Sequence, residues 1–89
     1  MLFRSVVKLY DRSLEQFVVG EYEAAIESLK QAAEIEPDNV SVLSRLGSIY
    51  YEMGDVSLAL ETWDRALEIN PSDVELRSFR DSVKDYHEF

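Results

Sequence analysis

The chain repeats itself every 34 residues, and this period constrains its fold more than any other feature. Gly20 and Gly54 are 34 residues apart, and so are Pro37 and Pro71. Between them Ala25, Glu27, Ala32, Glu34 and Ile35 recur at Ala59, Glu61, Ala66, Glu68 and Ile69. Upstream, Val6 and Leu9 recur at Val40 and Leu43, and Val40 recurs once more at Val74. The chain thus holds two full units and the start of a third. A period of about 20–50 residues marks an array of stacked units, none of which buries its apolar face alone.

Each unit reads as two helices. Tyr22, Ala25, Ile26, Leu29, Ala32, Ala33 and Ile35 fall at helical spacing, and Val56, Ala59, Leu60, Trp63, Ala66, Leu67 and Ile69 repeat the pattern. A glycine precedes each of these helices and suits the left-handed conformation that ends the helix before it. A proline follows each and stops it. Ser72 with Glu75 three residues on reads as a capping box for a last helix. Five helices are predicted, near residues 3–18, 21–35, 39–52, 55–69 and 73–87. The fifth carries Leu76, Phe79, Val83 and Tyr86 as one apolar stripe.

These residues resemble the tetratricopeptide repeat (TPR) family, whose 34-residue unit is a helix–turn–helix with typed positions. The second unit carries Leu43 in the tryptophan place, then Leu46-Gly47, Tyr50, Ala59, Trp63 in the phenylalanine place, and Pro71. The resemblance implies an all-α fold, an α-solenoid of antiparallel helix pairs. It implies a single domain, with repeat one at about 6–39, repeat two at about 40–73 and a capping helix at about 73–87. Gly47 and Ala59 are the short residues that would let neighbouring helices approach closely.

The first unit departs from the pattern. Arg12, Ser13 and Gln16 stand where the second has Leu46, Gly47 and Tyr50, while Val7, Tyr10, Leu14 and Phe17 form a clean apolar face. In the family, the first helices of each unit line a concave groove. On that register Val7, Tyr10, Leu14 and Phe17 form one wall. Ser41, Ser44, Ser48 and Tyr51 continue it on the third helix, and Glu75, Ser78, Ser82 and Asp85 on the fifth. The implied guest is the apolar face of a helix or an extended peptide, with Lys or Arg toward the acidic wall. Two other readings of the Tyr10–Leu14–Phe17 strip stand beside this one: packing into the core, and pairing of two copies, for which Met1, Leu2 and Phe3 offer further apolar surface.

The carboxylate clamp of chaperone-binding family members is not matched. Its first two basic and amide places hold Tyr10 and Leu14, its asparagine place on the third helix holds Ser48, and Ser78 and Phe79 stand where later basic side chains are wanted. A guest ending in Glu or Asp is expected to be repelled.

Composition excludes several other functions. There is no cysteine, so no disulfide framework, zinc ribbon or thiol nucleophile can be built, and the one histidine, His87, cannot supply a triad or a multi-histidine metal site. Nine basic residues against 18 acidic give a net charge of −9, which disfavours nucleic acid and anionic membrane surfaces. No glycine-rich phosphate loop and no catalytic motif is present. Glu23 with Glu27, and Glu34 with Asp38, share helical faces but read as solvated carboxylates, not a metal site. No cofactor, metal or catalytic residue is expected. The start of the chain, interrupted by Arg4 and Lys8, has no signal-peptide core, and a cytoplasmic address follows if the chain is complete.

The reading is therefore a protein–protein interaction module, a scaffold or adaptor that is monomeric or weakly dimeric. Its rivals are a self-assembly module and a regulatory or targeting domain excised from a larger protein.

Overall fold

The sequence period reappears as geometry at the helix ends. The computed structural model describes residues 2–87, with side chains from Ser5 to His87, so the apolar side chains of Met1, Leu2 and Phe3 lie outside the described residues. Five α-helices follow in order: α1 Leu2–Val18, α2 Tyr22–Ile35, α3 Val40–Glu52, α4 Val56–Ile69 and α5 Val74–His87. No strand occurs among the described residues.

Gly20 and Gly54 take φ of 84° and 83°, the left-handed region that a side chain makes costly. Both turns close with the same two bonds. The Glu21 and Gly20 N–H groups donate to Gln16 and Phe17 carbonyls at 2.8 and 3.0 Å, and those of Asp55 and Gly54 donate to Tyr50 and Tyr51 carbonyls, each at 2.9 Å. This is the Schellman arrangement, repeated after 34 residues.

The starts of α3 and α5 are also matched. The carboxamide oxygen of Asn39 accepts from the Val42 N–H at 3.1 Å, and the Asp73 carboxylate accepts from the Leu76 N–H at 3.1 Å. The expected Ser72–Glu75 capping box is therefore corrected. The helix begins one residue later than that box requires, so Asp73 is the cap, and the Ser72 hydroxyl donates to Asn70 Oδ1 instead.

Helices α1 with α2, and α3 with α4, form two closely packed pairs, and α2 packs on α3 to join them. The core runs through the stack in two clusters. One holds Val6, Ala25, Leu29, Ala32, Val42, Leu46 and Ile49, and the other holds Ala59, Trp63 and Val83. Gly47 has a specific reason to be glycine. A Cβ there would overlap Nε1 and Cδ1 of the Trp63 indole. The clearance expected for helix approach is thus clearance for one ring, whose N–H donates to the Ser44 carbonyl at 3.2 Å.

Both ends of the stack are polar where its middle is apolar. Val42 and Ile49 of α3 are buried against the first helix pair, and α5 has Leu76 and Val83 in those places. In α1 the same places hold Lys8 and Glu15, both exposed. At the other end, Leu43, Leu46, Gly47 and Tyr50 receive α4. Their counterparts on α5 are Arg77, Arg80, Asp81 and Lys84, which put charge at the positions that are apolar in α3. Arg80 pairs instead with Asp81, at 2.8 Å, and with Asp64 of α4, and these carboxylates raise its pKa further.

The α4–α5 seam is the sparsest between consecutive helices. Its apolar stripe also differs from the expected one. Tyr86 is 76% exposed, and His87 packs inward with its ring 5.8 Å from that of Tyr51. A 3.6-residue period counted from Leu76 through Val83 lands on residue 87 rather than 86. The body measures 43 × 29 × 17 Å, an elongated slab.

Candidate functional site

The face built by α1, α3 and the start of α5 is left uncovered by the chain's own helices. Two adjoining depressions lie on it, of about 280 and 310 Å³. They share Tyr10 and Ser41. Val6, Val7, Asp11, Asn39 and Val42 complete the first, and Val40, Ser44, Arg45, Ser48 and Asp73 complete the second.

The helical spacing of the serines explains the floor. Ser41, Ser44 and Ser48 fall on one face of α3, opposite Leu43, Leu46 and Tyr50, which face the space between α2 and α4. Short hydroxyl side chains there leave open volume. The Ser48 hydroxyl donates to the Ser44 carbonyl at 3.1 Å, which satisfies its own hydrogen without reaching across the groove.

The sequence-predicted residues divide. Val7, Tyr10, Ser41, Ser44 and Ser48 meet around the two depressions. Val7 is 41% exposed, whereas Tyr10 is half-buried and shared between groove and core. Phe17 turns the other way. Its ring lies 5.2 Å from that of Tyr22 and packs against the first core cluster. Leu14 is half-buried and lines neither depression.

Tyr51 is likewise drawn away from the serine floor. Its ring is 6.0 Å from Trp63, 6.2 Å from Phe79 and 5.8 Å from His87, and its hydroxyl lies 3.4 Å from His87 Nε2. Glu75, Ser78, Ser82 and Asp85 are all exposed along α5.

Arg45 is the residue that the serine pattern hid. It follows Ser44 on the same face of α3, and its guanidinium lies over the Tyr10 ring at 5.9 Å from the centroid. Its Nε is buried with no hydrogen-bond partner. The signal was present in the period, since Asp11, Arg45 and Phe79 occupy one register position in three successive first helices. Only the placement of α1 against α3 shows that this position looks into the groove.

A larger depression, of about 530 Å³, lies on the opposite face of α3 between α2 and α4. Its rim alternates in charge, with Glu27, Lys30, Glu34, Glu61 and Arg65. Leu43 and Leu46 at its base are buried core residues of α3, so its volume is the furrow left between α2 and α4 where both pack on that helix. Glu23, Glu27, Glu34 and Asp38 are exposed. Among the described residues, no group of three or more acidic or histidine side chains is placed to hold a metal ion. None of the described helices is long and apolar enough to cross a membrane.

Comparison with known proteins agrees with this geometry. A family model described as TPR repeat matches residues 19–54, and one described as tetratricopeptide repeat matches residues 40–73. No curated protein matches the chain. Among solved structures, two of MamA are similar in fold. One has a TM-score of 0.77 at 22% identity, covering 91% of this chain and 53% of the other. The second has a TM-score of 0.75 at 23% identity, covering 91% of this chain and 50% of the other. The chain thus spans about half the length of these structural relatives.

Proposed function

Because the chain belongs to the tetratricopeptide repeat family, we propose that it binds a peptide or helix of another protein on the face formed by α1, α3 and α5. Repeats of this family generally mediate protein–protein interaction. One observation carries the choice of face: the Val7–Tyr10 edge and the Ser41–Ser44–Ser48 floor adjoin in space and none of the chain's own helices covers them. An apolar edge takes the apolar side of a guest, and short serines leave its backbone room. The exposed Glu75 and Asp85 on α5 favour a Lys or Arg toward that end of the guest. The stack of two helix pairs closed by α5 acts as one scaffold, and no catalytic step enters this reading.

The test is a selection of random peptides against the chain, followed by the Val7→Glu, Tyr10→Ala double variant. The expected result is loss of binding with an unchanged helical circular-dichroism signal. Loss of the helical signal together with binding would assign the strip to the core. Light scattering from a few micromolar to about a millimolar protein addresses the remaining rival. A dimer that dissolves on dilution, and that Val7→Glu breaks, would make this face an assembly surface.

A further inference from the structure

We propose that Arg45 is an anchor for a carboxylate side chain of the guest, seated between Tyr10 and the serine floor. The inference rests on the groove reading above and narrows it to a guest that carries an acidic residue within its apolar segment.

The argument starts from charge. The chain carries twice as many acidic as basic residues, with a net charge of −9, so a cation has no shortage of carboxylates to pair with. Arg80 takes two of them. Arg45 takes none among the described residues, as is also true of Arg12, Lys30 and Arg65, and what sets it apart is a buried Nε with no hydrogen-bond partner. Its one defined contact is the face of Tyr10, which orients the plane without using any of its donors. Burial of the Nε–H holds the guanidinium in place without an acceptor, and its outer N–H groups, which are not so buried, are left for an acceptor from outside.

The surroundings suit a carboxylate. Arg45 lines a depression of about 310 Å³ with three serines, and a guanidinium offers a planar fork of donors that a carboxylate matches at two points. Ser41 Oγ, on the same floor, can donate further. The nearest competing charge within that depression is Asp73. Its carboxylate accepts from the Leu76 N–H, at the positive end of the α5 dipole, so its charge is already partly offset. Asp11 lines the neighbouring depression. Among the described residues the groove therefore holds one cation, Arg45, beside the serines of α3, flanked by Asp11 and Asp73 and followed by exposed acidic residues along α5. A guest with Glu or Asp on one side and Lys or Arg on the other fits it in one direction only.

The experiment uses the full chain and a library of random dodecapeptides. Selected peptides are expected to carry Asp or Glu at a constant offset from their apolar residues. They should bind Arg45→Gln about tenfold or more weakly, since one charge-assisted pair is lost. Arg45→Lys, which keeps the charge but not the fork, should fall between. Peptides with no constant acidic position, or with equal affinity for Arg45→Gln, would overturn the anchor and leave the groove standing. Peptides indifferent to Val7→Glu, or a selection that yields none, would count against the groove itself. In that case, or if Arg45→Gln fails to fold, acetate titration of the unaltered chain decides. The Arg45 Nε–H resonance is followed at constant ionic strength. A saturating shift with acetate that chloride does not reproduce supports the anchor, and identical responses to the two anions refute it.

Discussion

The two helix pairs have one architecture and two interiors. In the second pair a bulky ring, Trp63, is accommodated by a residue without a side chain, Gly47. In the first pair the corresponding positions hold Leu29 and Ser13, both buried. Volume has moved from the second helix to the first. A smaller apolar side chain faces a residue that can keep its Cβ, and the Ser13 hydroxyl is satisfied locally by the Tyr10 carbonyl at 2.6 Å. The next contact shows the same exchange in polarity. The second pair has Tyr50 and Thr62, with the Thr62 hydroxyl turned back onto the Leu58 carbonyl at 2.7 Å. The first has Gln16 and Ser28, joined across the helices at 2.8 Å. A helix pair of fixed geometry specifies the sum of volumes and the satisfaction of polar atoms at its seam, and it leaves the identity of each residue open.

The comparison breaks most visibly at the two large buried side chains. Trp63→Ala should cost about 3–5 kcal/mol, a large share of what a domain of this size has, and should exceed the cost of Leu29→Ala, about 2–5 kcal/mol. Chemical denaturation followed by circular dichroism measures both. Equal costs would mean that the second pair relaxes around the missing ring. The exchange of volumes is tested next. Gly47→Ser alone should cost about 1–3 kcal/mol, because the added Cβ meets the indole. Combined with Trp63→Leu it should cost much less than the sum of the two changes, a positive coupling in a double-mutant cycle. Strict additivity would deny that these two positions share one volume. The smallest effect is expected at the polar seam. Ser28→Ala should lose about 1 kcal/mol, while Thr62→Ala, whose hydroxyl bonds only to its own helix, should lose less.

The C-terminal ends of α1 to α4 were legible because they depend on local chemistry. Gly20 and Gly54 announce their turns through the one property that glycine alone has, and Pro37 and Pro71 bar continuation of the helices before them. The cap of α5 was read one residue early, at Ser72, because Ser and Asp are adjacent and both can cap. The choice falls to whichever residue precedes the first helical φ and ψ. The outer edge of α5 was misread for a different reason. Spacings of three and four were both available after Val83, and only packing against Tyr51 selects His87 over Tyr86.

The candidate site was legible in its serines and in Tyr10, and illegible in Arg45. A charged residue between small polar ones reads as a solvated surface side chain. Its meaning here comes from Tyr10, 35 positions earlier in the sequence. Phe17 is the converse case, a residue placed on the groove register that is claimed by Tyr22 just across the turn.

By itself, then, the sequence determined the period, the five helices and their pairing. Those follow from interactions within a helix or a turn, whose partners lie a few residues apart and can be read in order. Tertiary structure alone decided which aromatic rings the core takes, which are left to the groove, and that one unpaired guanidinium lies among the serines. Those outcomes depend on the angle and distance at which α1, α3 and α5 meet. That geometry is set by the summed volumes of the buried side chains, Trp63 and Gly47 foremost, and not by any single stretch of the chain.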